Sequence, residues 1–209
     1  MIEMLTAVRE AMPSTMALLV KMNCWDGFES GITKEEGVLT AKAIEQCGAD
    51  AVVVSGGFVS RSPMYVMRGK MPVDIMAYFI HEAWKKFFVK LAGEQLMPSV
   101  PFTEGYFMEE AKRIQSGIKI PVVLVGGMNS METIKKAMQE GFKWIAIARA
   151  LIENPNFVND LRNGIIQKSG CTICNYCVAK MYSGEMACHL HEKNLPEELK
   201  QKIAALNYA

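Results

Sequence analysis

Residues 120–130, IPVVLVGGMNS, place an apolar run, two glycines and a helix start next to one another. The continuous β-branched run predicts a buried strand over 120–127, of the kind found in parallel sheets. Asn129 or Ser130 then predicts the N-cap of a helix over 129–141. A buried strand that leads directly into a helix indicates a βα unit of a parallel α/β sheet.

The same unit recurs along the chain of 209 residues. Apolar runs predict three more strands at 16–23, 50–57 and 143–150, and helical patterns predict further helices at 2–12, 33–48, 103–117 and 154–164. Four βα units allow half of a (β/α)₈ barrel or an open doubly wound sheet. A complete barrel needs about 250 residues, so the chain is too short for one.

The sequence changes character in two places. Residues 58–103 are irregular and rich in methionine, proline and aromatic residues, with a helical pattern over 73–93, and they form an insertion. From residue 165 onward the chain is a tail that contains four of the six cysteines. We therefore predict a half barrel over 1–164 and a cysteine-rich extension of the same domain over 165–209.

Composition and charge exclude several classes of protein. The formal net charge is +1, so the chain lacks the basic surface of a nucleic-acid-binding protein. No apolar run reaches the ~20 residues of a membrane-spanning helix, and residues 1–12 lack the pattern of a signal peptide. We expect a cytoplasmic protein, in which clustered cysteines are more often metal ligands or redox thiols than disulfides.

Two neighbouring loops predict a phosphate site. Gly126 and Gly127 carry no side chain, so their backbone can approach a ligand closely, and the helix that starts near Ser130 favours an anion at its N-terminus. Arg149, at the predicted end of the next strand, can hold a phosphate with its guanidinium fork. The loops after strands 7 and 8 form the phosphate site of many barrels, so the four strands would be strands 5 to 8. Taken alone, the glycine pair is equally typical of a tight turn, and Arg149 is equally typical of a surface arginine.

Lys21 lies inside an apolar strand, where a charge is costly unless it has a partner. Near the carboxyl end of a barrel strand it would point toward the catalytic face. Asn23, two residues on, shares that face. The alternative is a lysine that pairs with a carboxylate of a neighbouring strand.

At three stretches the sequence resembles the C-terminal half of the Old Yellow Enzyme family of NADH:flavin oxidoreductases. They are LLVKMNCWDG, IPVVLVGGMNS and WIAIARALIENPNFVNDLRNG, beginning at residues 18, 120 and 144. The resemblance implies a (β/α)₈ barrel that holds FMN at its C-terminal mouth. It also implies an activity in which NAD(P)H reduces FMN and the reduced flavin reduces an activated C=C bond, such as that of an enone.

The resemblance assigns roles to particular residues. It places Lys21 against the N1/O2 edge of the flavin, the two glycines in the turn after strand 7, and Ala148-Arg149 in place of the Gly-Arg pair at the FMN phosphate. The predicted cofactor-binding residues are thus Lys21, Asn23, Gly126, Gly127, Ala148 and Arg149.

No catalytic residue is assigned within this chain. The family's substrate-binding His/Asn or His/His pair, its tyrosine proton donor and its strand 1 flavin contacts come from the N-terminal half of the barrel. We therefore expect the chain to be incompetent alone and to form a homo-oligomer that covers its open half barrel. Two alternatives are a non-catalytic phosphate- or FMN-binding half barrel with a structural metal that needs a partner chain, and a phosphate-binding barrel without flavin.

The stretch CTICNYC, 171–177, resembles a C-x-x-C-N-x-C motif that follows the last barrel helix in many members of the family. In one branch similar cysteines bind a [4Fe–4S] cluster, which implies Cys171, Cys174, Cys177 and Cys188 as its ligands here. Zinc is the rival, with four cysteines or with His189 or His191 as a ligand, and a metal-free cluster of thiols is the third alternative. The remaining two cysteines, Cys24 and Cys47, are predicted to pack in the core.

Overall fold

Four parallel strands form a single sheet in the order β1-β2-β3-β4. The computed structural model describes residues 1–206, apart from the side chain of Tyr182. The strands are β1 (Leu19–Asn23), β2 (Ala51–Ser55), β3 (Val122–Val125) and β4 (Trp144–Ala146). Each strand pairs with its neighbour in the sequence, as in a barrel wall. The α/β class is therefore confirmed, and the strand order is consistent with half of a barrel.

Position in the sheet explains the burial of the strands. The inner strand β2 is AVVVS, it pairs with a strand on each edge, and most of its residues are buried. The outer strands β1 and β4 each begin with an exposed apolar residue, Leu19 and Trp144. One edge of each outer strand is unpaired in this sheet, which is the kind of edge that a further strand can cover.

Helices connect the strands, and most lie where the sequence predicts them. Within residues 1–206 they are α1 (Ile2–Ala11), α2 (Lys34–Gln46), α3 (Met64–Met67), α4 (Val73–Phe79), α5 (Ala83–Leu96), α6 (Met108–Gly117), α7 (Met131–Gln139), α8 (Arg149–Glu153), α9 (Phe157–Arg162), α10 (Tyr176–Lys180) and α11 (Glu197–Ala204). Thr33 and Glu36 form the predicted capping box at the start of α2. None of these helices has the length and apolar composition needed to cross a bilayer.

Contacts divide the described chain into two compact units. The first comprises 1–59, 103–128 and 132–146 and contains the sheet. Its buried residues come from the strands and from the helices that follow them, among them Ala41, Ile44, Val52, Val54, Ile114 and Leu124.

The second unit comprises 60–102, 129–131 and 147–206 of the described residues and is built from short helices. The helical pattern predicted over 73–93 becomes two helices, α4 and α5, separated at residues 80–82. They share a core with α10 and α11 that includes Ile75, Met76, Tyr176, Leu199 and Ile203. The insertion and the tail are thus parts of one packed unit, and the predicted division of the chain at residue 164 stays a prediction.

Candidate functional site

Lys21 lies on the edge strand β1 and is exposed. The desolvation cost expected for a buried lysine therefore does not arise. Asn23 is half-buried, and its amide donates to Asp26 Oδ1 at 2.7 Å and to the Gly57 carbonyl at 2.8 Å. Asn23 therefore ties together the loops that leave β1 and β2 at their carboxyl ends, and its predicted contact with a cofactor stays a prediction.

Gly126 and Gly127 form the turn after β3 and have positive φ angles of 113° and 67°. A Cβ on Gly126 would lie 2.8 Å from the Tyr106 ring, and one on Gly127 would lie 2.8 Å from the Thr103 carbonyl oxygen. The space that the missing side chains leave is therefore filled by residues of the same unit. Internal packing alone explains both glycines, while their backbone groups remain the predicted phosphate contacts.

The start of α7 is joined to the segment that precedes the cysteines. Asn129 and Ser130 are buried, the Met131 N–H donates to the Gln167 carbonyl at 2.9 Å, and the Ser169 N–H donates to the Asn129 carbonyl at 2.8 Å. One of the N–H groups that a helix start would offer to an anion is thus already used.

The sequence pattern placed Arg149 at the end of a strand, and this prediction is wrong. The strand β4 ends at Ala146, and Arg149 is the first residue of α8, preceded by Ala148. Its Nη1 donates to Asn175 Oδ1 at 2.8 Å, and its guanidinium lies over the Phe102 ring at 5.6 Å. The structure therefore joins Arg149 to the cysteine motif.

Four cysteines border one small cavity in the second unit. Its volume is about 20 Å³, which is room for about one water molecule. The cavity is lined by Arg149, Ile152, Glu153, Cys171, Thr172, Cys174, Asn175, Tyr176, Cys177, Cys188 and His189. The structure thus brings together the four cysteines that the sequence singles out, and it adds an arginine to them.

The backbone of CTICNYC is curled by two left-handed residues, Ile173 at φ 59° and Asn175 at φ 55°. Asparagine tolerates this conformation, whereas a β-branched isoleucine adopts it only under strain. Asn175 is almost fully buried, and its amide donates to the carbonyls of Arg68 at 2.8 Å and Lys70 at 3.1 Å. With the bond from Arg149, Asn175 fixes the motif from three directions.

No role for Asn175 was predicted from the sequence. The available signal was the asparagine inside C-x-x-C-N-x-C, because asparagine is one of the few residues that favour the left-handed region. Glu153, also on the cavity, was missed as well, and its Oε2 accepts from the Ser169 hydroxyl at 2.9 Å and the Gly170 N–H at 3.1 Å.

Burial controls the charge of the cavity thiols. It raises the pKa values of Cys171 and Cys188, and it raises the pKa of Cys177 to about 11. The neighbouring thiols raise these pKa values further, whereas Arg149 lowers those of Cys171 and Cys177. Because each of these pKa values lies above its ordinary value, the three thiols are protonated at neutral pH.

His189 adds a second potential ligand type to the cavity. Burial lowers the pKa of its imidazole, so the neutral ring is favoured. Its Nε2 is a buried atom that has no hydrogen-bond partner within residues 1–206. The ring packs edge-on against Tyr176 at 5.6 Å between centroids.

The donor types suit a metal, but their arrangement does not support one. Among residues 1–206, no three His, Cys, Asp or Glu side chains are grouped so that they could hold a metal ion. All six cysteines are free thiols. The zinc and iron–sulfur expectations therefore receive no support from this geometry, and the four thiols border a cavity that is too small for a cluster as it stands.

The other two cysteines pack as predicted. Cys24 is buried, and its thiol donates to the Ser55 carbonyl at 2.9 Å. Burial, with the nearby charge of Glu110, raises the pKa of Cys24 to about 12. Cys47, the residue that follows the last residue of α2, is buried.

Comparison with known proteins places the chain among oxidoreductases. It is 33% identical over 181 residues to a 4,4'-dithiodibutanoate disulfide reductase of Rhodococcus erythropolis, covering 85% of this chain and 44% of the relative. It is 24% identical over 178 residues to an NADH oxidase of Thermoanaerobacter brockii, covering 83% of this chain and 22% of the relative. The chain thus spans less than half the length of these relatives. No family model matches it.

A further relative and a solved structure also match the chain. A 92-residue stretch is 27% identical to the imidazole glycerol phosphate synthase subunit HisF of Azobacteroides pseudotrichonymphae, covering 43% of this chain and 35% of the relative. A solved structure of 2-naphthoyl-CoA reductase with 2-naphthoyl-CoA matches with a TM-score of 0.62 and 20% identity, over 98% of this chain and 26% of that one. At this identity the match shows the fold. Together with the reductase relatives, it confirms the resemblance of the chain to the NADH:flavin oxidoreductases of the Old Yellow Enzyme family.

Proposed function

We propose that this chain is the FMN-binding C-terminal portion of a flavin-dependent NAD(P)H oxidoreductase of ene-reductase type. The observation that carries the proposal is the 33% identity over 85% of the chain to a reductase, on a sheet whose order fits half of a barrel. The substrate would be a small molecule with an activated C=C bond, and its binding groups would come from the other half of the barrel.

FMN, when bound, would supply the chemistry of hydride transfer between NAD(P)H and the substrate. In this chain Lys21, at the middle of β1, would supply a positive charge to the N1/O2 edge of the flavin, where negative charge develops on reduction. The turn at Gly126 and Gly127 would offer backbone N–H groups to the phosphate. Arg149 has further N–H donors besides the one bound to Asn175, so it can still contribute a charge-assisted contact.

The activity for which the Rhodococcus erythropolis relative is named suggests a second substrate class. That relative reduces a disulfide, 4,4'-dithiodibutanoate. A disulfide and an activated alkene can each accept a hydride equivalent, so the same reduced cofactor could serve both. We propose the disulfide as the alternative substrate of the intact protein.

Titration of the chain with FMN tests the proposal directly. Quenching of FMN fluorescence should show saturable binding, and riboflavin, which lacks the phosphate, should bind more weakly. Lys21→Ala should weaken FMN binding. Lys119→Ala should not, because the exposed Lys119 precedes β3 and therefore lies at the amino ends of the strands. Saturable binding that ignores Lys21 would refute the assigned role, and absence of FMN binding would refute the proposed function.

Activity assays then test whether the chain is incompetent alone. The chain with FMN and NADH or NADPH should show no turnover of cyclohexenone or of 4,4'-dithiodibutanoate, because the family's substrate-binding pair is not in it. Turnover of ~1–10³ s⁻¹, the ordinary range for enzymes, would show that catalytic residues within this chain were overlooked. The substrate that is turned over would identify the class.

The non-catalytic alternative rests on one observation, the four thiols around a single cavity. In that case the chain would be a phosphate- or FMN-binding module with a structural metal, active only with a partner chain. Anaerobic reconstitution with iron and sulfide, followed by metal analysis, tests it. About four irons per chain would establish a cluster and one zinc would establish a zinc site, whereas no bound metal under either condition would leave the thiols as packing groups.

A further inference from the structure

One side of the helix α5 packs against the rest of the second unit. Gly93 is buried, and a Cβ at this position would lie 2.9 Å from the Val73 side chain on α4. Val89 and Met97 pack against the same core. The spacing of these three residues defines one side of the helix, so its opposite side must face away from the unit.

That opposite side is apolar. Trp84, Phe87, Phe88 and Leu91, spaced i, i+3, i+4 and i+7, have between 58% and 66% of their surface exposed. We call these four residues the aromatic stripe. The rings touch one another edge-on, with centroids 6.4 Å apart for Trp84 and Phe88 and 5.8 Å apart for Phe87 and Phe88. A contiguous apolar surface of this kind marks an interaction site rather than an ordinary surface.

The charged residues of α5 indicate which kind of partner the aromatic stripe can bind. The helix carries three lysines, Lys85, Lys86 and Lys90, and one acidic residue, Glu94. Lys85, which flanks the stripe, is paired with Glu82 just before the helix, whereas Lys90 is exposed. Glu94 is already paired with Lys70 at 2.8 Å. Two copies of α5 placed face to face would bring two positively charged helices together. The charge therefore favours an anionic partner over a second copy of this chain.

Shape and residue type favour a bilayer over a protein groove. The stripe is the convex side of a helix, and its aromatic rings stand side by side without a pocket of their own. Tryptophan, phenylalanine and leucine on one face with lysines beside them are typical of helices that lie in the membrane interface. Lysine can keep its ammonium group at the headgroups while its methylene stem follows the apolar surface.

We propose that α5 is an interfacial helix that docks this chain on bilayers with anionic headgroups. The aromatic stripe would enter the boundary between headgroups and acyl chains, and Lys85 and Lys90, which flank it, would contact lipid phosphates. The helix has 14 residues, about 21 Å at the α-helical rise, which is shorter than the ~30 Å hydrocarbon core. It would therefore lie on the membrane and not span it.

Vesicle sedimentation with the full chain tests the proposal. Vesicles of phosphatidylcholine with about 30% phosphatidylglycerol should bind the chain. Vesicles of pure phosphatidylcholine should bind it at least about tenfold more weakly. Binding should fall at about 0.5 M NaCl, because salt screens the attraction between the lysines and the headgroups. Brominated lipids should quench part of the tryptophan fluorescence in the chain, and Trp84→Phe should remove that quenching while binding is retained.

Two variants and one control separate insertion from simple charge attraction. The double substitution Phe87→Ser/Phe88→Ser should lower the partition coefficient at least about tenfold. The double charge reversal Lys85→Glu/Lys90→Glu should lower it roughly a hundredfold or more. The control Leu39→Ser/Met138→Ser removes equally exposed apolar side chains from α2 and α7 and should leave binding unchanged.

Several outcomes would overturn the proposal. The first is equal vesicle binding by the stripe variant and the control, and the second is absence of binding to anionic vesicles. A dimer in light scattering that the stripe variant abolishes, without vesicle binding, would assign the stripe to a second copy. Stripe-dependent binding of an acidic amphipathic peptide, again without vesicle binding, would assign it to a protein partner.

Discussion

Asn175 is the residue whose replacement should most clearly disturb the cysteine motif. Its side chain accepts a hydrogen bond from Arg149 and donates two to the backbone carbonyls of Arg68 and Lys70, and it is almost fully buried. A bond to a charged group contributes about 1.5–3 kcal/mol and each neutral bond about 1 kcal/mol. Alanine also fits the left-handed backbone less well than asparagine. We therefore expect Asn175→Ala to lower the free energy of unfolding by about 3–5 kcal/mol.

Two further substitutions at Asn175 separate the contributions. Asn175→Asp keeps an acceptor for Arg149 but turns a carboxylate oxygen toward the carbonyls of Arg68 and Lys70, so it should also destabilise the chain. Asn175→Gly loses all three bonds but accepts φ 55° without strain. The glycine variant should therefore be about 1 kcal/mol less destabilised than the alanine variant.

Urea unfolding under reducing conditions, followed by tryptophan fluorescence, measures these differences. Asn163→Ala is the matched control, because Asn163 is exposed at the end of α9. A loss for Asn175→Ala within about 1 kcal/mol of this control would refute the reasoning, since that is the size of one neutral hydrogen bond. An aspartate variant as stable as the unaltered chain would refute the assignment of the two donated bonds.

Three other predictions concern the phosphate site, a buried thiol and the sheet edges. Arg149→Ala should weaken FMN binding by about 1.5–3 kcal/mol in a fluorescence titration, whereas Arg162→Ala should not, and unchanged affinity would count against a phosphate contact. Burial raises the pKa of Cys24 to about 12, so the folded state holds this proton more tightly than the unfolded state does. Stability from this group is complete below pH ~9 and declines up to pH ~12 by as much as about 4 kcal/mol. Cys24→Ala should flatten this decline in unfolding experiments, and identical pH profiles would contradict it. Exposed Leu19 and Trp144 at the outer strands predict a dimer or larger assembly in light scattering, which a monomer would exclude.

Local signals were sufficient where structure depends on neighbours in the sequence. The stretch 120–130 predicts a strand, a turn and a helix, and β3 and α7 lie within the predicted spans. The capping box at Thr33 and Glu36 is likewise a contact between residues three apart. Such features depend on periodicity and capping, which the sequence displays directly.

Features that depend on distant residues were not predictable in this way. The carbonyls that Asn175 binds belong to residues more than a hundred positions earlier in the chain. The exposure of Lys21 depends on what covers its face of the sheet, and no local pattern specifies that cover. The stretch 143–150 suits a strand or a helix, because alanine, isoleucine and arginine occur in both, and the strand ended four residues early.

The position of Arg149 connects the two chemistries proposed for the chain. One guanidinium N–H is committed to Asn175, and the charge lowers the pKa values of two cavity thiols. A bound phosphate would partly neutralise that charge, so it would weaken the effect of Arg149 on the thiols. Conversely, thiolates in the cavity would weaken its attraction for a phosphate. Because both effects act through one cation, the charge of the cysteine cavity and the affinity for an anionic cofactor are expected to be linked in the intact protein.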